Sequence, residues 1–194
     1  MATGFSMNKS DFLKAFQHIR QVNSEHDYPL REPGRPAAVL IPIVQHPQHL
    51  SVLFTERAAH LKHHGGQISF PGGKQEVYDA NLLATALRES QEEIGLKPEE
   101  VDIVGQLPRY RTVSRYEVLP YIGFIPAPLS LQLDHNEVAA TFEVPLSYLL
   151  DKNNHLIHWV KRNNEQFPVY FIPWQDKHIW GATAAFIRNL ANHF

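Results

Sequence analysis

The sequence predicts an α+β fold in which mixed β-sheets pack against helices. Apolar, β-branched runs recur in hairpin-like pairs, as in "AAVLIPIV" followed by "LSVLFTER". Other segments space their apolar residues by three and four, the mark of amphipathic helices. The 194 residues are 43% hydrophobic and contain no internal repeat, which suits one sizeable core.

Taken in chain order, "SDFLKAFQHIR" from Ser10 to Arg20 predicts a helix, with Ser10 or Asp11 as its cap. A polar, proline-containing stretch leads into a buried strand from Ala37 to Val44, and Leu50 to Arg57 returns as the second arm of a hairpin. "HHGGQISFPGGK" holds Gly65, Gly66, Gly72 and Gly73 around a short strand, "QISF". Such a cluster marks tight turns or a backbone that lies close to a ligand. A strong helix is expected from about Ala80 to Ile94, ended by Gly95. Strands "VDIVGQL" and "EVLPYIGFIP" follow, separated by a loop, "RYRTVSRY". Glu137 to Val144 reads as a strand, and Pro145 begins a short helix. Two more strands are expected near His155 to Val160 and Pro168 to Ile172, then a last helix from about Thr183 to His193, packed on the core by Trp180.

Composition narrows the function classes. A net charge of -2 gives no general affinity for nucleic acid or anionic membrane, so neither partner is expected. With no cysteine, disulfides, thiolate metal sites and a cysteine nucleophile are excluded. No apolar stretch approaches the roughly 20 residues of a membrane span, and the N-terminus lacks the pattern of a secretory signal. A cytoplasmic protein is the expectation. "HLKHH" brings His60, His63 and His64 together, but without a H-E-x-x-H pattern it reads as a polar loop rather than a zinc site. Neither a phosphate-binding G-x-x-x-x-G-K-[ST] loop nor a G-x-G-x-x-G fingerprint occurs.

The helix before Gly95 carries the chemical signal. At 3.6 residues per turn, Leu83, Leu87, Ser90 and Ile94 share one side, and Glu89, Glu92 and Glu93 fall nearly opposite. Carboxylates three and four residues apart repel one another. A hard divalent cation turns that repulsion into coordination, and Mg²⁺ favours carboxylates together with substrate phosphates. Met alone, an acidic face is more often solvated surface. Here it follows a glycine pair and reads Arg88-Glu89, then Glu92-Glu93, then Gly95.

That arrangement resembles the signature of the Nudix hydrolases, matched by "RESQEEIGL" at Arg88, Glu89, Glu92, Glu93, Gly95 and Leu96. Ser90 departs from the usual apolar residue, and the spacing from Gly73 to Arg88 is one residue longer than common. Asp79 stands in effect where an early glutamate is usual, and reads as the helix N-cap rather than a metal ligand. The longer spacing resembles one branch, the coenzyme A pyrophosphatases, whose upstream signature is matched in "LFTERAAHLKHHGGQISFPGG". Leu53, Thr55, Arg57, Gly66, Phe70, Pro71, Gly72 and Gly73 fit in register; Phe54, Ala58 and Lys62 depart. Both signatures lie within residues 53–96.

The resemblance implies a Nudix-like α/β/α sandwich over residues 1–194, with residues 1–34 as an N-terminal helical extension. It implies a metal-dependent coenzyme A diphosphatase acting on coenzyme A or its acyl derivatives, and it admits a homodimer, although no residue signals one. Glu89, Glu92 and Glu93 would hold Mg²⁺ or Mn²⁺, and Arg88 would fix the geometry of the site. Gly72 and Gly73 would let the strand end pass close to the diphosphate and turn into the following loop, while Gly66 shapes the approach of the substrate. Arg57 and Lys62 are the candidates for phosphate recognition, with plain surface charge the alternative for Lys62. The general base is either a signature glutamate, Glu92 or Glu93, or Glu137, for which a solvated strand start is the equal alternative. Two other functions stay open: hydrolysis of another nucleotide such as ADP-ribose or a nucleoside triphosphate, and nucleotide binding without catalysis.

Overall fold

The computed structural model describes residues 7–17, 24–25, 27–29, 32–61, 64–162 and 164–194. Helix α1 (Lys9–Gln17) precedes strands β1 (Arg35–Gln45), β2 (Leu50–Arg57), β3 (Ile68–Ser69) and β4 (Gly72–Lys74). Helix α2 (Leu82–Ile94) leads to β5 (Asp102–Gln106), β6 (Tyr110–Arg111), β7 (Tyr116–Pro126) and β8 (Val138–Pro145). The chain ends with α3 (Leu146–Leu150), β9 (Leu156–Arg162), β10 (Glu165–Trp174), β11 (Lys177–Trp180) and α4 (Ala182–Ala191). No helix among the described residues is long and apolar enough to cross a membrane.

Eight strands form one mixed sheet, ordered β3-β2-β1-β7-β5, with β4 on β1, β6 on β7 and β8 on β2. β1 is its axis, running parallel to β7 and antiparallel to β2. Its residues alternate between faces. Ala38, Leu40 and Val44 pack toward Leu82, Ala86 and Ile94 of α2. Ala37, Ile41 and Ile43 join the opposite cluster, with Phe12 of α1, Leu146 and Leu149 of α3, and Phe186 and Leu190 of α4. The sheet is therefore sandwiched between helices, as an α/β/α arrangement. A second sheet, ordered β11-β10-β9, lies beside α4.

β1 also divides its partners along one edge. Pairing with β2 runs from Gln45 to Ile43 and stops there, and Pro42 supplies no N–H to continue it. Leu40 N–H instead donates to Pro71 O, and β4 takes over with Val39 opposite Gly72 and Ala38 opposite Gly73. The sheet splays between β2 and β4, and the candidate site lies at that split.

Several sequence expectations are corrected. The first helix begins at Lys9 and is capped by Asn8, whose side chain accepts from Asp11 N–H, rather than by Ser10 or Asp11; residues 18–20 of the expected span lie outside the described residues. Three strands were not anticipated: β4; β6, inside the expected loop; and β11, four residues long. Gly72 and Gly73 are not a strand end turning into a loop but a strand of their own. Trp180 is 41% exposed, its ring stacked on Phe171 at the edge of the small sheet, rather than holding α4 to the core.

Candidate active site

Helix α2 starts two residues later than expected. Asn81 is its cap, accepting from Ala84 N–H at 2.9 Å, and Gly95 closes it in the left-handed conformation with φ 72°. Asp79 is thus released from the capping role assigned to it. Its carboxylate accepts from the Glu76 N–H and the Thr85 hydroxyl and forms a two-point pair with Arg88, at 2.9 Å from Nε and 3.0 Å from Nη2. The Arg88 guanidinium beside it holds Asp79 well below the usual carboxylate range.

Arg88 then gathers the site. Its Nη1 donates to Glu89 Oε1 at 2.9 Å and to Glu92 Oε2 at 2.8 Å. One planar fork, pinned at its far side by Asp79, reaches two of the three signature carboxylates.

Glu93 departs most from the sequence expectation. The buried stripe of α2 runs through Leu82, Ala86, Ser90 and Ile94, with Thr85 beside it, while Leu83 and Leu87 are only half-buried. At about 100° per residue, Glu93 falls between Leu82 and Ala86, at the centre of this inward face. It is 3% exposed. The helix is rotated from the amphipathic solution so that Leu82, Thr85 and Ala86 turn inward, while Ser90 stays buried with its hydroxyl donating to Ala86 O at 2.7 Å. Glu92 stays exposed on the outer side and Glu89 lies at the margin.

At the split in the sheet, Gly72 N–H donates to Glu93 Oε2 at 3.3 Å, and Arg57 Nη1 stands 3.7 Å from Glu93 Oε1. A Cβ on Gly73 would lie 2.5 Å from Glu89 Oε1, so only glycine admits that carboxylate. Burial pushes the Glu93 carboxyl up to about 8, with the charges of Glu89 and Glu137 adding and Arg57 and the Gly72 N–H opposing. Burial likewise raises Glu89, against the pull of Arg88. Glu137 is on the exposed turn before β8, and its carbonyl accepts from Ala58 N–H at 2.8 Å, next to Arg57. Its charge acts on both Glu89 and Glu93.

The structure thus brings together Arg57, Gly72, Gly73, Arg88, Glu89 and Glu93, with Glu92 on the outer margin and Glu137 close enough to perturb the pair. Gly66 sits apart, in the turn between Arg57 and β3 with φ 73°, its N–H donating to Arg57 O. Lys62 lies outside the described residues.

Beyond Arg57 opens a cavity of about 560 Å³ between the main sheet, β10 and the start of α4. Apart from Arg57 and Gly66's neighbours, the sequence reading missed it. Its walls come from segments far apart in the chain, from Asp27 and Tyr28 to Phe186. Alternating apolar residues in β7 and β10 signalled only core.

Comparison with known proteins gives the family. A family model described as the NUDIX domain matches residues 34–153. The uncharacterized Nudix hydrolase NudL of Shigella flexneri serotype 5b is 40% identical over 187 residues, covering 96% of this chain and 94% of its own. Its counterpart in Klebsiella pneumoniae is 39% identical over 186 residues, with the same coverage. Among solved structures, the Nudix hydrolase RenU of M. smegmatis superposes with a TM-score of 0.51 at 21% identity, over 60% of this chain and 74% of that one, a likeness of fold. With a matched domain model over more than half its length and relatives at this identity, the chain belongs to the Nudix family of hydrolases.

Proposed function

We propose that this Nudix protein hydrolyses the diphosphate linkage of coenzyme A and its acyl thioesters, giving adenosine 3',5'-bisphosphate and 4'-phosphopantetheine or its acyl form. The observation that carries the chemistry is Glu93, a carboxylate on the inward face of a helix, 3% exposed, beside a second raised carboxylate and against the Gly72 N–H. Fold stability gains nothing from an acid placed there. The branch is supported by the upstream match from Leu53 to Gly73, which supplies Arg57 and both glycines of the site.

The donor set fits a hard divalent ion. Glu89 and Glu93 are held near each other in a setting that penalises their charge, and a cation relieves that penalty. Among the described residues no three such groups converge on one point, because Arg88 draws Glu89 and Glu92 to itself. Exposed Glu92 can turn away from Arg88 toward the ion. Glu89, Glu92 and Glu93 would hold Mg²⁺ or Mn²⁺, which when bound neutralises diphosphate charge and activates water.

The chain's own groups do the rest. The extended β4 backbone and its glycines leave room for the diphosphate beside Glu89. Arg88, fixed by Asp79, keeps Glu89 in place, and Arg57 offers its guanidinium to a phosphate at the mouth of the cavity. Water adds to one phosphorus, the bond to the bridging oxygen breaks, and that oxygen leaves with the other phosphate. Glu137, exposed and close enough for its charge to act on the pair, would take the proton from the water. Residues 1–194 act as one domain in this reading, since α1 is built into the core through Phe12, packed edge-on against Phe124.

The test is a substrate panel. With Mn²⁺, coenzyme A is expected to show a higher kcat/KM than ADP-ribose or a nucleoside triphosphate. Cleavage of the comparison substrates alone would retain the helix assignment and remove the coenzyme A one.

A further inference from the structure

We propose that the free edge of β9 pairs antiparallel with β9 of a second copy of this chain, about a two-fold axis at Trp159, so that two small sheets join as one of six strands. This pairing does not depend on which nucleotide the enzyme cleaves.

β9 ends the order β11-β10-β9, and no strand among the described residues pairs with its outer side. Leu156 to Lys161 are all exposed, on both faces of the strand. Leu156, Ile157, Trp159 and Val160 are large and apolar, and Leu156 and Trp159 are 56% and 58% exposed. An edge of this kind normally carries charge, proline or a bulge that keeps other chains off it. β9 has no proline, and its register with β10 runs unbroken from Leu156 to Arg162, with Lys161 and Arg162 confined to one end.

The neighbouring strands fix which backbone groups face outward. Tyr170, opposite Ile157, turns its carbonyl to Gly181 N–H on the far side of β10, and Pro168, opposite Trp159, has no N–H to give. Both are therefore pairs without mutual hydrogen bonds, and alternation along the ladder adds Lys161. The N–H and C=O of Ile157, Trp159 and Lys161 thus point away from β10. Antiparallel pairing centred on Trp159 sets Trp159 against its own copy and Ile157 against Lys161, so all three residues find partners. The side chains obey the same symmetry. Ile157 and Trp159 line a recess of about 270 Å³ with Glu25, which already pairs with Arg188 at 3.2 Å. Lys161 of the second copy, opposite Ile157 on that face, comes onto this acid, and the two lysines are kept about 14 Å apart. The edge is thus complementary to itself in charge as well as in hydrogen bonding, which selects a second copy as its partner.

The test is the mass of the full chain across the micromolar range, by sedimentation equilibrium. A single edge strand buries an area at the low end of specific interfaces, so the wild type should pass from 22.2 kDa toward twice that mass as concentration rises. Ile157→Pro removes an outward N–H that serves no bond to β10, and Trp159→Lys sets like charges at the axis. Each should raise the dissociation constant by at least about tenfold while circular dichroism shows the fold retained. The chain has no cysteine, so Ile157→Cys mixed with Lys161→Cys should form a disulfide far faster than either variant alone. A single 22.2 kDa species at every concentration would overturn the pairing. So would a dimer that both edge variants leave intact, or one that cross-links equally well in the unmixed samples.

Discussion

Replacing Glu93 by glutamine should stabilise the metal-free protein, by an amount that grows with pH. The folded carboxyl sits at about 8 against an ordinary 4.5 because it is buried. Between those values the folded state holds more protons than the unfolded chain. Wild-type stability therefore falls as pH rises through that window, and the loss levels off above the folded value. At about 1.4 kcal/mol per unit, charging Glu93 costs roughly 3 kcal/mol at pH 7 and roughly 4 to 5 kcal/mol well above pH 8. Glu93→Gln keeps the shape and loses this cost, so the two proteins should have similar stability near pH 5 and diverge steadily toward pH 8. Denaturant unfolding in the presence of a chelator, from pH 5 to 8, measures the difference directly. Contributions from lowered His155 and His193 are present in both proteins and largely cancel. A stability difference that does not change across this range would refute the claim that Glu93 is buried against its own charge.

Other consequences test neighbouring parts of the site. Burial favours the protonated form of Glu93, so if it joins in holding Mn²⁺ as proposed, binding near neutral pH should release protons, fewer as pH rises, read by calorimetry in buffers of different ionisation enthalpy. Asp79→Asn should destabilise the fold by on the order of 3 kcal/mol, because it leaves Arg88 without its main partner; unfolding at neutral pH measures it. The two glycines should part company. A Cβ at Gly72 meets the Ala38 carbonyl at 2.3 Å and cannot be relieved without moving β1, so Gly72→Ala should lower Tm sharply. The three atoms nearest a Cβ at Gly73 all belong to the Glu89 carboxylate, the far end of a side chain, so Gly73→Ala should keep a near-normal Tm and lose Mn²⁺ affinity instead.

Much of this organisation was legible in the sequence because local patterns and tertiary demands agree there. The β1–β2 hairpin, the stop of α2 at Gly95 and the last helix follow from apolar runs and glycine placement. The rotation of α2 was not legible, because a helical wheel ranks Leu83 and Leu87 above Thr85 and Ala86. The sheet instead accepts the narrow side, which draws Glu93 inward. Asp79 was misread for a related reason: aspartate and asparagine both cap helices, and only the distant Arg88 settles which of Asp79 and Asn81 does so. The cavity is the least local feature. Asp27, Val118, Tyr170 and Phe186 meet only after β1 has paired with β7 and the small sheet has docked, and no spacing in the chain encodes that meeting.

The most direct test of the central claim is to identify the products formed from coenzyme A by the wild-type protein and by Glu93→Gln, with Mn²⁺ and with a chelator. The account predicts adenosine 3',5'-bisphosphate and 4'-phosphopantetheine from the wild type with Mn²⁺, none with chelator, and turnover lower by at least about a hundredfold in the variant. Undiminished product from Glu93→Gln, or from the wild type in chelator, would contradict it.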